Sequence, residues 1–203
     1  MHIRNTSAVA LLVTALALTG CAASGGSSRG VEKATSDLST APESEATSAE
    51  ELDADPATGE TVSGTGYTMV TPQGWGMPAG GLPGFSPDAF AANLQDADGF
   101  ADNLNVILAP GPFTPEEVES SGVAELEATA DEVVVKERVL IADTEAVHVS
   151  ASITDAGTTY VIEQYYLSTE EEGYVATFGF SETVPEAERV ALAESVLVTW
   201  EWS

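Results

Sequence analysis

From residue 132 onward the chain alternates. Val147, Val149, Ala151 and Ile153 are interleaved with His148, Ser150 and Ser152, the period of two that puts successive side chains on opposite faces of a strand. Runs rich in β-branched and aromatic residues occupy 132–141, 144–153, 158–168 and 173–180. Tight corners at Asp143-Thr144 and Asp155-Ala156-Gly157 separate three of them, so consecutive antiparallel pairing is the simplest arrangement. After Pro185 the period lengthens. Val190, Leu192, Ala193, Val196, Leu197 and Trp200 fall on one broad stripe at 3.6 residues per turn, with Glu188, Glu194 and Ser195 outside it, which predicts a terminal helix packed on the sheet.

The first part of the domain is less regular. Thr61 to Thr71 reads as a strand, closed by the turn signal Pro72-Gln73-Gly74-Trp75. The Gly/Pro-rich run from Gly76 to Pro87 reads as loop. A short helix is expected from Asp88, with Ala89, Phe90 and Leu94 on one side. Leu104, Val106 and Leu108 alternate with Asn103 and Asn105, a half-buried strand ending at Pro110. Thr114-Pro115-Glu116-Glu117 offers an N-cap, a proline at the first helical position and acids in the first turn, so a helix should run from there to about Thr129. The sum is an α+β domain with a central antiparallel sheet.

Upstream of this domain the pattern disappears. All 14 aromatic residues lie between Tyr67 and Trp202. Ala22 to Glu60 has only Val31, Leu38 and Leu52 as large apolar residues among Ser, Thr, Ala, Gly, Pro and nine acids, too few to offset the entropy of ordering. Residues 21–60 are therefore expected to be a disordered acidic linker, and 61–203 the domain. Residues 1–20 differ again: Arg4 precedes Ala8 to Leu18, AVALLVTALAL, an apolar run far shorter than the ~20 residues of a membrane span and suited to an export signal.

Leu18-Thr19-Gly20-Cys21 resembles the lipobox of bacterial lipoproteins, and Cys21 is the sole cysteine in the chain. The resemblance implies cleavage before Cys21 and attachment of a diacylglycerol to its thiol. Two or more acyl chains hold a protein essentially permanently at a bilayer. Farther on, a strand ending in Pro-x-Gly-Trp, then Asn103-Leu104-Asn105-Val106, a helix, a meander carrying Gln164-Tyr165-Tyr166, a Thr177-Phe178 strand and a last helix resemble the PsbP-like fold. More narrowly they are similar to the LpqN family of actinobacterial lipoproteins, over roughly residues 64 to 200. That resemblance implies an α/β/α sandwich displayed outside the cell membrane, and brings no catalytic residues with it. The long loop from Gly76 to Pro87 departs from the family pattern and bears on any groove beside Trp75.

Charge narrows the function further. The net charge of -27 divides into -7 from residues 22–60 and -21 from 61–203, with +1 from Arg4. Such a surface repels phosphate backbones, which excludes nucleic acid as a partner. Within the domain His148 is the one histidine, and without a second histidine or a cysteine it cannot complete a His-based metal cluster. Asp96-Ala97-Asp98-Gly99-Phe100-Ala101-Asp102 fails the calcium-loop spacing, since Gly falls at position 4 and Ile107 stands at position 12. No metal, cofactor or catalytic constellation is expected. Trp75, Phe85, Phe90, Asn103 and Asn105 are the candidate contacts for a partner or ligand, the aromatics competing with a core role. The reading is a lipid-anchored, extracytoplasmic, non-enzymatic binding or assembly module of the cell envelope. Its occupant would be an envelope protein or a small apolar ligand. The alternative is an envelope hydrolase working through paired carboxylates.

Overall fold

The computed structural model describes residues 49–96 and 99–203. The signal segment, Cys21 and the linker up to residue 48 lie outside the described residues. Twelve strands are present: β1 (Glu50–Glu51), β2 (Thr61–Gly64), β3 (Tyr67–Val70), β4 (Trp75–Gly76), β5 (Ala89–Asn93), β6 (Asn103–Leu108), β7 (Glu132–Val135), β8 (Val139–Ile141), β9 (Thr144–Asp155), β10 (Thr158–Ser168), β11 (Gly173–Ser181) and β12 (Glu201–Trp202). The helical segments are α1 (Pro115–Glu117), a π-helical stretch Val118–Gly122, α2 (Val123–Glu127) and α3 (Glu186–Leu197).

The chain is mixed α/β and mostly sheet. Nine strands form one large sheet in the order β1-β8-β9-β10-β11-β6-β5-β4, and β7 pairs with β9 beside β8. The meander at its centre is antiparallel, with Tyr165 opposite both His148 on β9 and Ala176 on β11. Its corners work as the sequence suggests, one of them shifted by a residue: Ala142 and Asp143 at the first, Ala156 and Gly157 at the second, all have positive φ, the geometry that lets a two-residue hairpin follow the strand twist. The expected continuous run at 132–141 is instead two strands, β7 and β8, interrupted at 136–138. One pair departs from the antiparallel expectation, because β1 runs parallel to β8 and makes the sheet mixed.

Both faces of the large sheet are covered. On one, Tyr165, Leu167, Phe178, Phe180, Leu104 and Val106 meet Ala193, Val196 and Leu197 of α3. The small sheet β12-β3-β2 joins the same layer, with Tyr67 stacked on Trp200 at 4.0 Å between ring centroids. On the other face Val147, Val149, Ala151, Ile153, Ile162 and Tyr166 pack against Val118 and Leu126 of the α1–α2 segment. That segment starts with the expected cap: Thr114 accepts from the Glu117 backbone N–H while the Glu117 carboxylate accepts from the Thr114 backbone N–H. Arg138 then ties it to the sheet by pairing with Glu116, Glu119 and Glu145.

Three expectations are corrected. Residues 88–94 form no helix: Ala89–Asn93 is strand β5, paired with β6, and Ala89, Ala91 and Ala92 are all buried. A strand covered on both sides loses polar alternation, and small alanines removed the remaining signal. Thr61 to Thr71 is a hairpin, β2 and β3, turning at Thr65 and Gly66, the glycine at φ 78°. The fold also begins before residue 61. Glu50 donates its backbone N–H to the Arg138 carbonyl, Ala57 to that of Ser195 and Gly59 to that of Thr71, while Leu52 and Ala57 pack on the core.

Candidate functional site

The aromatic and amide candidates do not converge. Trp75 is 6% exposed and lies on the α3 side, in the core with Ala89 and Ala91. Phe90 points from the same strand β5 to the opposite face, where it clusters with Phe85, Ala92, Leu82 and Ile107. The Gly/Pro loop thus folds across that second face through Leu82 and Phe85. Asn103 and Asn105 share one face of β6, as their spacing suggests. Asn103 is buried and donates to the Ala101 carbonyl at 3.0 Å, and Asn105 stands opposite Phe90 and Thr177. Next to them Gln164 donates to Thr177 Oγ1 at 3.0 Å and accepts from Tyr166 Oη at 2.8 Å. Asn103 is thus satisfied by the backbone and Gln164 by the hydroxyls of Thr177 and Tyr166, which is what burial demands of them.

Titratable groups do converge elsewhere. Glu163 on β10 has no exposed surface, and its Oε1 accepts from Arg189 Nε at 2.9 Å and Ser150 Oγ at 3.1 Å. Its Oε2 lies 3.0 Å from His148 Nε2, whose ring stacks on Tyr165 at 4.2 Å. Arg189, on α3, also donates from Nη1 to the Val184 carbonyl at 2.7 Å. The more polar face of β9, which carries His148, is the one α3 covers, so His148 is 5% exposed. One carboxylate thereby joins β9, β10 and α3.

The sequence reading missed Glu163 and Arg189. A signal existed: Glu163 is the only charged residue in 158–168, and Arg189 is the only cation in the last helix. The expected inward stripe of that helix is displaced accordingly. Its buried residues are Arg189, Ala193, Val196 and Leu197, whereas Val190 and Leu192 are half-buried and Trp200 lies past its end.

Around this group, Lys136 Nζ lies 2.6 Å from Glu186, whose carboxyl is held below its usual range first by that hydrogen bond. Glu194, half-buried on α3, has its proton affinity raised by burial, against the pull of His148. Among the described residues no group of three His, Cys, Asp or Glu has the arrangement of a metal site. Asp102 accepts from the Ser181 backbone N–H at 3.1 Å, and Asp96 from that of Asp102 at 3.4 Å.

An open cleft lies on the other side of the sheet. Phe113, Pro115, Thr144, Glu145, Tyr166 and Ser168 line an open hollow of about 180 Å³. Phe113 meets Tyr166 edge-on at 6.2 Å, and Glu145 pairs with Arg138 at 3.1 Å. Small-molecule sites typically measure roughly 300–1,000 Å³. This open hollow is smaller than that range.

No family model matches the chain, and no curated protein matches it. A solved structure from Bacteroides thetaiotaomicron VPI-5482 is similar at 14% identity and a TM-score of 0.44, over 70% of this chain and 47% of that one. The chain thus spans about half the length of that structure.

Proposed function

We propose that the protein is a lipoprotein held by lipid on Cys21 at the outer face of the cell membrane, its PsbP-like, LpqN-type domain acting as a non-enzymatic binding or assembly module of the envelope. The observation that carries this reading is Leu18-Thr19-Gly20-Cys21 at the end of an apolar h-region, in a chain with no other cysteine. Because the described fold starts at residue 49, 27 residues separate it from Cys21. Charge favours a protein partner over a small apolar ligand, since a -21 domain attracts basic surfaces.

The geometry favours binding over hydrolysis. A general base must reach the proton it takes, and His148 and Glu163 spend their hydrogen bonds on each other and on Arg189 beneath α3. Crosslinking in intact cells, with mass-spectrometric identification of what is captured, should return an envelope protein with an excess of Lys and Arg at the crosslinked surface. A turnover screen on glycans and esters is the opposing test. Hydrolysis abolished by one Asp or Glu substitution on the surface would establish the carboxylate hydrolase instead.

A further inference from the structure

Among the described residues, strand β7 is an edge with one side unpaired. It forms a ladder with β9 on one side, and no described strand pairs with its other side. Its sequence is Glu132-Val133-Val134-Val135, followed by Lys136. Val134 and Val135 are 40% and 42% exposed, two of the few large apolar residues open to solvent among the described residues. An edge of this kind is a ready template for another strand.

The register fixes what the free side offers. Lys136 donates its backbone N–H to the His148 carbonyl at 2.9 Å, and Val134 stands opposite Ser150. In an antiparallel ladder the bonded positions alternate, so the backbone groups of Glu132, Val134 and Lys136 face β9 and those of Val133 and Val135 face outward. We infer that β7 pairs antiparallel with β7 of a second copy of this chain, about a two-fold axis at Val134. Val133 and Val135 then exchange four backbone hydrogen bonds with Val135 and Val133 of the other copy. Val134 meets its own counterpart in the close, non-bonded type of pair.

Charge selects this occupant and this register. On the face shared by residues 132, 134 and 136, the two-fold arrangement sets each Glu132 opposite the other copy's Lys136. A parallel pairing sets Glu132 on Glu132 and Lys136 on Lys136. Lys136 is one of only three cations in residues 61–203 and pairs at 2.6 Å with Glu186, an exposed acid with which the other copy's Glu132 shares it, while Arg138 and Arg189 are taken up by Glu116, Glu119, Glu145 and Glu163. A segment that carries its own complement at this spacing is matched by a copy of itself. The -21 of each domain opposes the approach, and at about 0.15 M salt a Debye length near 8 Å confines that repulsion to short range.

The test uses the full chain with Cys21→Ala, leaving no thiol, and adds Val134→Cys as a single reporter. Mild oxidation should yield a covalent dimer, and Val198→Cys, at an exposed residue elsewhere (38%), should not. Glu132→Lys or Lys136→Glu added to the reporter chain should slow crosslinking about tenfold, because like charges then face each other at both ends. Mixing the two reversed chains, distinguished by size, should restore it as a heterodimer. A chain that had merely misfolded could not be rescued that way. Val135→Pro removes an outward N–H without touching the β9 ladder and should also abolish the dimer. Crosslinking at Val134→Cys no faster than at Val198→Cys, or no rescue on mixing, would overturn the inference.

Discussion

Glu163 is the residue on which the interior depends most. A carboxyl group with no exposed surface is costly unless its partners are in place, and here Arg189, His148 and Ser150 all are. Replacing a buried ion pair with apolar residues is often tolerated, whereas removing one partner strands the other charge. Glu163→Gln, which keeps the shape and leaves Arg189 uncompensated, should therefore cost about 3 kcal/mol in urea unfolding. A cost below about 1 kcal/mol would mean that Arg189 finds water or another acid. The sequence showed His148 as a strand histidine but not its partners, since 15 residues separate it from Glu163 and 26 separate Glu163 from Arg189. Only the pairing of β9 with β10 and the packing of α3 bring them together.

The five tyrosines give a second prediction at this scale. Burial raises the proton affinity of all of them, with Tyr160 and Tyr166 pushed up to about 12. Unfolded phenols lose their protons near 10. Above pH 10 the unfolded chain consequently binds fewer protons than the folded one, and stability falls as pH rises; below pH 10 both are protonated and these groups have no effect. Absorbance at 295 nm should show no phenolate transition at 10 while the fold persists, then a cooperative rise that coincides with loss of the circular dichroism signal. A full transition at 10 in folded protein would contradict the burial.

At the scale of elements, legibility follows how many faces a segment shows to solvent and how local its signals are. The helix beginning at Thr114 was readable because its cap lies within four residues, and the meander because its corners are punctuated by Asp, Ala and Gly. Strand β5 was not readable, since Phe90 and Leu94 at a spacing of four imitate a helix face while both sides of the real strand are covered. The division of the α1–α2 segment by a π-helical stretch had no sequence signal that we can name. Thr114→Ala removes the capping hydroxyl and should destabilise the chain by about 1 kcal/mol, read as a shift of the urea midpoint with unchanged slope. A change in slope would show that the segment unfolds separately from the sheet.

Taken whole, the molecule is a two-faced sheet whose acidic surface surrounds a core sealed by one ionic cluster, with its described chain starting at the β8 edge. Composition placed the end of the linker at residue 60, because Leu52 and Ala57 are too few to suggest a core; they are ordered by packing against residues far along the chain. The proposed anchor, Cys21, lies outside the described residues, and the proposed location rests on it. Its most direct measurement is the mass of the mature N-terminal peptide together with membrane fractionation of the wild type and of Cys21→Ala. The account predicts a wild-type chain that begins at Cys21, carries the mass of a diacylglycerol and sediments with membranes, and a Cys21→Ala chain that does neither. An unmodified Cys21, or identical fractionation of the two chains, would contradict it.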